Sequence, residues 1–160
     1  MEFLEVAKIL AQWLLERPCL IAVTTIETTE LSLPSRIDAV DGAASAVAEF
    51  ISRSGISEEA AFRIDMAVRE AVTNAVIHGN RQEESKSVEL TLKSSPDAIE
   101  ISVHDQGQGF NPEEVPDPTK EENLLKSSGR GIFFMRNFMD EVDWSIRPNG
   151  GTTVRLVKRR

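Results

Sequence analysis

Glu70, Asn74 and His78 are spaced four residues apart, about one turn of an α-helix, so their side chains fall along one stripe. A carboxylate can accept a proton, and an amide oxygen is a hard ligand that suits Mg²⁺. Further along, the segment Asp-Gln-Gly-Gln-Gly at residues 105–109 has two glycines, where bare backbone can approach another molecule closely. Together these residues indicate a nucleotide site rather than an ordinary hydrophobic core.

Two further motifs carry chemistry. Asp105 stands at the end of an apolar segment, where its carboxylate could accept a hydrogen bond from an exocyclic amine such as that of adenine. Gly129, Arg130 and Gly131 immediately precede a predicted helix, whose exposed amides could bind phosphate while the arginine adds positive charge. Each motif alone is weak, because short motifs match by chance, but their order and spacing form a strong joint signal.

The helix that carries Glu70 and Asn74 is predicted to be capped by Ser57 and to run to about residue 78 or 79. Apolar residues lie on nearly all of its sides, which predicts a mostly buried helix. Polar groups on its second face therefore need partners, and a bound ligand or ion could supply them. The competing interpretation is that Glu70 and Asn74 are ordinary surface residues of an amphipathic helix.

The strand pattern predicts an α+β fold, a two-layer sandwich of helices on a mostly antiparallel sheet. Residues 88–92 and 99–103 alternate apolar and polar side chains around a turn, which predicts a hairpin, and residues 142–146 and 154–156 predict a second one. Residues 106–128 have no clear periodicity. A loop of this length inside a compact domain is often a functional lid.

Two more helices accompany these hairpins. One follows a predicted strand at residues 29–33, is predicted to be capped by Ser35 and runs to about Ser54, before Gly55; the other spans residues 131–140. The first of them is predicted to turn one apolar stripe toward the core: Ile37, Val40, Ala44, Val47, Phe50 and Ile51.

Composition favours a single globular domain, since the chain has 160 residues and 41% of them are apolar. The net charge of −8 argues against direct binding of nucleic acid. The single cysteine, Cys19, excludes an intramolecular disulfide and fits a reducing cytoplasm. No apolar run is long enough to cross a membrane, and the first residues lack the basic segment of a signal peptide, so we expect a cytoplasmic protein.

Residues 70–79, with the sequence Glu-Ala-Val-Thr-Asn-Ala-Val-Ile-His-Gly, resemble the N box of the GHKL ATPases in the version found in RsbW-type anti-sigma factor kinases. Residues 105–110 resemble the first glycine box of that family, and residues 129–142 resemble its second glycine box and the following helix. Residues 151–156 are similar to its closing strand. The resemblance covers residues 29–157, roughly, and implies the GHKL (Bergerat) fold.

The resemblance also implies a role for each matched residue. Asn74 would bind a Mg²⁺ ion that bridges the phosphates of ATP, and Glu70 would act as general base on a Ser or Thr hydroxyl or on water. Asp105 would contact the adenine amine, with support from Thr152 through a water molecule, and residues 110–128 would form the ATP lid. The phosphate pocket would be shaped by Gly107, Gly109, Gly129 and Gly131.

The function that the resemblance implies is an ATP- and Mg²⁺-dependent serine/threonine kinase that binds a sigma factor and phosphorylates an anti-sigma factor antagonist. A homodimer is implied as well. Residues 1–28 lie outside the family pattern and are predicted to be an N-terminal extension, with a short helix at residues 3–16, ahead of a domain at residues 29–160. We assign no role to this extension, for which plain packing is favoured over partner binding.

One departure from the family pattern leaves alternatives open. Related kinases often have an arginine where this chain has Ser127, and Lys126 or Arg130 would have to substitute for it. One alternative is therefore an ATP-binding interaction switch with little catalysis. Another is a histidine-kinase-like module acting in trans, because the chain has only His78 and His104 and neither lies on a separate dimerisation helix.

Overall fold

A computed structural model describes residues 26–109 and 130–160, which form one five-stranded sheet with three α-helices on one of its faces. The predicted α+β two-layer sandwich is therefore confirmed. The predicted helix at residues 3–16 and the predicted lid at residues 110–128 lie outside the described residues. Within the two described ranges, no helix is long and apolar enough to cross a membrane.

The sheet has the strand order β1-β2-β3-β5-β4, and each neighbouring pair is antiparallel. Both predicted hairpins are confirmed. Because β3 and β5 are antiparallel neighbours, the residues that follow β3 lie next to the residues that begin β5. The five strands are β1 (Glu27–Pro34), β2 (Ser87–Ser94), β3 (Ala98–His104), β4 (Glu141–Ile146) and β5 (Thr152–Arg159).

The helices begin and end close to the predicted positions, with one exception described below. They are α1 (Ala39–Ser52), α2 (Glu58–Asn74) and α3 (Arg130–Phe138). Ser57 caps α2 as predicted, because its Oγ accepts a hydrogen bond from the backbone N–H of Ala60 at 3.2 Å. After Asn74 the chain continues as a single π-helical turn, Ala75–Gly79, so the predicted helix does reach residue 79 but with a wider last turn.

The core lies between the helices and one face of the sheet. Alternate residues of each central strand are buried, whereas the residues between them, such as Glu89 and Lys93, are exposed. Burial of this one apolar face against the helices fixes the register of the strands. The largest completely buried side chains of this core are Leu90, Leu92, Ile99, Ile101, Leu156, Ile64 and Met135.

The start of α1 was predicted wrongly. Ser35 does not cap the helix, which begins at Ala39 after a tighter turn in which the N–H of Ala39 donates to the carbonyl of Arg36 at 3.1 Å. Ile37 consequently falls before the helical repeat and is 51% exposed instead of buried. The Ser35 side chain is buried with no hydrogen-bond partner for its hydroxyl among the described residues.

Asp140 fastens the turn between α3 and β4 to the neighbouring strand β5. Its Oδ2 accepts a hydrogen bond from the backbone N–H of Arg159 at 2.7 Å, and its Oδ1 lies 3.1 Å from the Lys158 ammonium. These bonds, the backbone one above all, hold the pKa of Asp140 below its ordinary value. A carboxyl group whose pKa is lowered by folding stabilises the fold above its ordinary pKa and loses that contribution as the pH falls through the lowered value.

We predict that Asp140→Asn lowers the free energy of unfolding by about 1 kcal/mol at neutral pH, because a partly exposed charged hydrogen bond is lost. The difference from the wild type should shrink in acid, where the wild-type carboxyl group is protonated. Urea unfolding at neutral and acidic pH measures both effects. Asp38→Asn is the control, because its ion pair with Arg36 is 63% exposed on both sides. An equal effect of the two substitutions would contradict the prediction.

Candidate functional site

Asp105 is the most constrained side chain of the candidate site. It follows β3 directly and is 6% exposed. Its Oδ1 accepts two backbone hydrogen bonds, from Gly107 at 2.8 Å and from Thr152 at 3.1 Å, and its own N–H donates to the Thr152 carbonyl at 3.0 Å. Because both backbone donors point to Oδ1, the carboxyl group has a fixed orientation in which Oδ2 is left to other donors.

Two glycines allow the loop around Asp105 to pack against the end of the helix. A methyl group on Gly79, the last residue of the π-helical turn, would overlap with the Asp105 carboxyl group. A methyl group on Gly107 would overlap with the backbone carbonyl of Gly79. The geometry therefore explains Gly107 by close packing between two protein segments, a reason that differs from the phosphate approach that was expected.

Thr152 brings an unpaired hydroxyl to the same place. The residue is 5% exposed, and its Oγ1 has no hydrogen-bond partner in the described part of the chain. An unpaired buried hydroxyl is costly, so a ligand or an ordered water molecule is the expected partner. Thr152 and Asp105 are thus brought together as predicted, by the pairing of β3 with β5.

Glu70 lies at the opposite end of the site, where α2 meets the start of α3. The space beside Gly131 is filled by the Glu70 side chain, since a methyl group on Gly131 would overlap with its carboxylate. Gly131 is thereby explained by a close approach of α3 to Glu70. The first turn of α3 directs its backbone N–H groups outward at the same point, which favours negative charge there.

Asn74 is half-buried and is the last residue of α2, one turn beyond Glu70. The four-residue spacing does not extend to His78 as a regular stripe, because His78 lies on the wider π-helical turn and is exposed. A single π-helical turn at the end of a helix is frequently found at functional sites.

The remaining predicted residues are placed as follows. Gly109 has a φ of 99°, which favours glycine, and space for a side chain there is limited by Ile146 at 3.2 Å. Arg130 begins α3 and is exposed. Lys126 and Gly129 lie outside the described residues.

Two functional candidates were missed by sequence reasoning. Asn80 is completely buried, and its amide oxygen accepts a hydrogen bond from the backbone N–H of Gln106 at 2.7 Å. The Gln106 side chain in turn accepts one from the Ser87 N–H at 2.9 Å. The only hint in the sequence is a polar residue directly after each of two motifs, which by itself says nothing about burial.

The site has few groups that could hold a metal ion. Among residues 26–109 and 130–160, no three His, Cys, Asp or Glu side chains converge as a metal cluster. A Mg²⁺ ion bound together with a nucleotide does not need such a cluster, because phosphate and water oxygens supply most of its ligands. One amide oxygen from Asn74 therefore fits Mg²⁺ held with a nucleotide, and does not fit a metal bound by protein alone.

Comparison with known proteins gives consistent matches. The family model described as "Histidine kinase-like ATPase domain" matches residues 33–158. The chain is 38% identical to an anti-sigma F factor of Anoxybacillus flavithermus over 116 residues, which cover 70% of this chain and 78% of the relative. It is 36% identical, with the same coverage, to the anti-sigma F factor of Bacillus subtilis.

Solved structures support the same fold. A SiaB–SiaC complex from Pseudomonas aeruginosa contains a chain that superposes with a TM-score of 0.63 at 11% identity, with 96% of this chain and 99% of the other covered. A structure of RsbU and RsbW domains from Mycobacterium tuberculosis gives a TM-score of 0.62 at 20% identity and covers 83% of this chain and 32% of the other. At these identities the likeness concerns the fold alone.

We predict that Gly151→Ala destabilises the protein by at least about 2 kcal/mol, since an L side chain is strained at a φ of 84°. Its methyl group would also overlap with the Asp105 carbonyl oxygen. The matched control is Gly42→Ala in α1, where no atom lies within 4 Å and the substitution should stabilise the helix. Thermal unfolding of both variants measures the difference. A stable Gly151→Ala protein would contradict the described packing of β5 on Asp105.

Proposed function

The chain belongs to the histidine kinase-like ATPase family, in its anti-sigma factor branch, and on that premise we propose that it is an ATP- and Mg²⁺-dependent serine/threonine protein kinase. We propose further that it binds a sigma factor and that its phosphorylation target is an anti-sigma factor antagonist. One observation carries the proposal. The end of the helix that bears Glu70 and Asn74 packs on Asp105, which lies beside Thr152, so the four residues border one site.

The adenine base would lie at the Asp105 end. Its exocyclic amine is a hydrogen-bond donor, and the Asp105 carboxylate, held by two backbone N–H groups, is an acceptor whose second oxygen is left for such a donor. The unpaired Thr152 hydroxyl would complete the contact through a water molecule. Burial of both side chains strengthens these polar contacts, because little bulk water competes for them.

The phosphates would lie between Asn74 and the start of α3. Asn74 would hold Mg²⁺ through its amide oxygen, and the ion supplies neutralisation of phosphate charge. The N–H groups of the first turn of α3, with Arg130 beside them, favour phosphate at the same end. Gly129 and Lys126 shortly precede α3 in the sequence, and we propose that they contribute to phosphate binding as well. Gly109 would leave the phosphates room near the loop.

Glu70 would act as the general base. The hydroxyl group of a Ser or Thr gives its proton to the Glu70 carboxylate, and its oxygen forms a bond to the γ-phosphorus. The bond between that phosphorus and the oxygen of ADP breaks, so ADP leaves with the displaced electron pair. Because this reaction depends mainly on positioning and charge neutralisation, one carboxylate at the end of a rigid helix can suffice.

A protein substrate fits the surface next to Glu70. Met66 and Phe62 precede Glu70 by one and two helical turns on the same side of α2, and they are 41% and 62% exposed. These apolar side chains lie about 6 and 12 Å along the helix from the proposed base. A protein segment that presents its hydroxyl to Glu70 would cover them.

A second candidate function is favoured by Ser127, which stands where related kinases often have an arginine. With a weaker positive charge near the phosphates, the chain would act as an ATP-dependent interaction switch with little catalysis. Regulation of the sigma factor that survives Glu70→Ala would favour this function over the kinase.

Asn74→Ala is expected to remove most of the Mg²⁺ dependence of ATP binding. In the wild type, Mg²⁺ should tighten ATP binding by about tenfold or more, since one oriented ligand couples the ion to the phosphates. Calorimetry with Mg²⁺ and with EDTA measures the ratio. Asn137→Ala on the exposed side of α3 is the control and should keep the wild-type ratio. The proposed site would be overturned if ATP affinity were the same with Mg²⁺ and with EDTA, and the same in the wild type and Asn74→Ala.

Glu70→Gln should slow phosphorylation of a candidate antagonist by about 10²–10⁴-fold, because it removes a general base. ATP affinity should change little, since the substitution keeps size and shape. Phosphoserine formation under single-turnover conditions measures the rate.

Two further variants sharpen the test of Glu70. Glu59→Gln on the same helix, exposed and paired with Arg63, should keep the wild-type rate. Met66→Glu should raise the KM for the protein substrate while ATP affinity stays unchanged. A wild type that binds ATP and Mg²⁺ but forms no phosphoserine on the antagonist would rule out the kinase activity.

A further inference from the structure

The place where β3 leaves the sheet has an unusual hydrogen-bond arrangement. The β2–β3 register ends at Glu89 and His104, and if it continued it would place Gln106 opposite Ser87. At that position the Ser87 N–H donates to the side-chain oxygen of Gln106, at 2.9 Å, rather than to a strand carbonyl. The side chain takes the place of the next backbone acceptor, so the backbone after Asp105 is free to turn toward the helix end.

Asn80 completes this arrangement from the helix side. Its Oδ1 accepts the Gln106 N–H at 2.7 Å, and its Nδ2 donates to the Ser87 carbonyl at 2.9 Å. The two amide side chains and the Ser87 backbone thus form a closed ring of three hydrogen bonds, which we term the amide ring. Asn80 is completely buried, so its two side-chain bonds are partly shielded from water, whereas the bond between Ser87 and Gln106 lies at the surface.

The amide ring is anchored in a strained segment. The Asn80 N–H donates to the Ala75 carbonyl at 2.7 Å, and the Gln82 N–H donates to the Val76 carbonyl at 2.9 Å. Arg81 and Gln82 have φ values of 56° and 55°, which is uncommon for residues other than glycine. Such a conformation persists only where the surroundings over-determine it, and such residues cluster at functional sites.

We propose that Asn80 and Gln106 are positioning residues that set the Asp105 carboxylate against the nucleobase and thereby determine the preference for adenine over guanine. Adenine presents an amine at the position where guanine presents a carbonyl oxygen, so a fixed carboxylate accepts a hydrogen bond from one and repels the other. A carboxylate that can shift discriminates less. This inference rests on the proposed function, because it requires the nucleobase to lie at Asp105.

Gln106→Leu tests the proposal, because Gln106 is exposed and its loss need not unfold the protein. ATP affinity should fall about fivefold, the change expected for one net hydrogen bond, while GTP affinity stays constant. Gln106→Glu keeps an acceptor for the Ser87 N–H and should restore the ATP preference. In the ligand-free protein, Gln106→Leu should also accelerate hydrogen exchange of the Ser87 amide, a readout independent of any nucleotide.

Gln108→Leu is the matched control, since Gln108 lies in the same loop but its side chain has no hydrogen bond to any described residue. It should leave the ATP-to-GTP affinity ratio and the exchange of Ser87 as in the wild type. If Gln106→Leu leaves the ATP-to-GTP affinity ratio as in the wild type, whether or not both affinities fall, the proposal is overturned. A wild type with no preference for ATP would instead overturn the proposed function, and this inference with it.

Discussion

The candidate site depends on one contact, in which the backbone of Gly79 packs directly on the carboxyl group of Asp105. This contact joins the end of the helix that carries Glu70 and Asn74 to the end of strand β3. Without it the two halves of the site would belong to separate parts of the fold. A side chain at residue 79 or 107 would push them apart, so both glycines are explained by the need for close approach.

The two halves are held by different means. At the Asp105 end, backbone hydrogen bonds fix one carboxylate oxygen and the amide ring holds the adjoining loop, so little adjustment is needed when a ligand arrives. At the Glu70 end, the carboxylate lies against Gly131 in the first turn of α3, and no hydrogen bond to a described residue constrains it. In the proposed function, the more constrained half would hold the nucleobase and the less constrained half would bind and release the phosphates.

Much of this fold can be predicted from the sequence because its signals are local. Alternation identified the strands, Ser57 marked the start of α2, and the order of the motifs around Glu70, Asn74 and Asp105 pointed to one site. Ser35 and Ile37 misled, because a capping residue and an apolar residue at helical spacing also occur in a turn that precedes a helix.

The amide ring could not have been predicted, because it depends on three segments that meet only in the folded chain. Asn80 and Gln106 are ordinary polar residues in sequence. The burial of Asn80 and the pairing of the two side chains follow from the way β2 and β3 end. The π-helical turn is equally invisible to a search for periodicity, since it changes the repeat over a single turn.

The position of β5 inside the sheet has a consequence for the order of assembly. Thr152 and Asp105 are 47 residues apart in sequence, yet a hydrogen bond between them orients the carboxyl group. Contacts between such distant residues form slowly, because closing the long intervening loop costs conformational entropy. While the chain is synthesised, Glu70, Asn74 and Asp105 emerge early, but the pocket can close only after β5 has entered between β3 and β4. A nucleotide would then bind only to chains whose synthesis has passed β5, and only those chains would be stabilised by it.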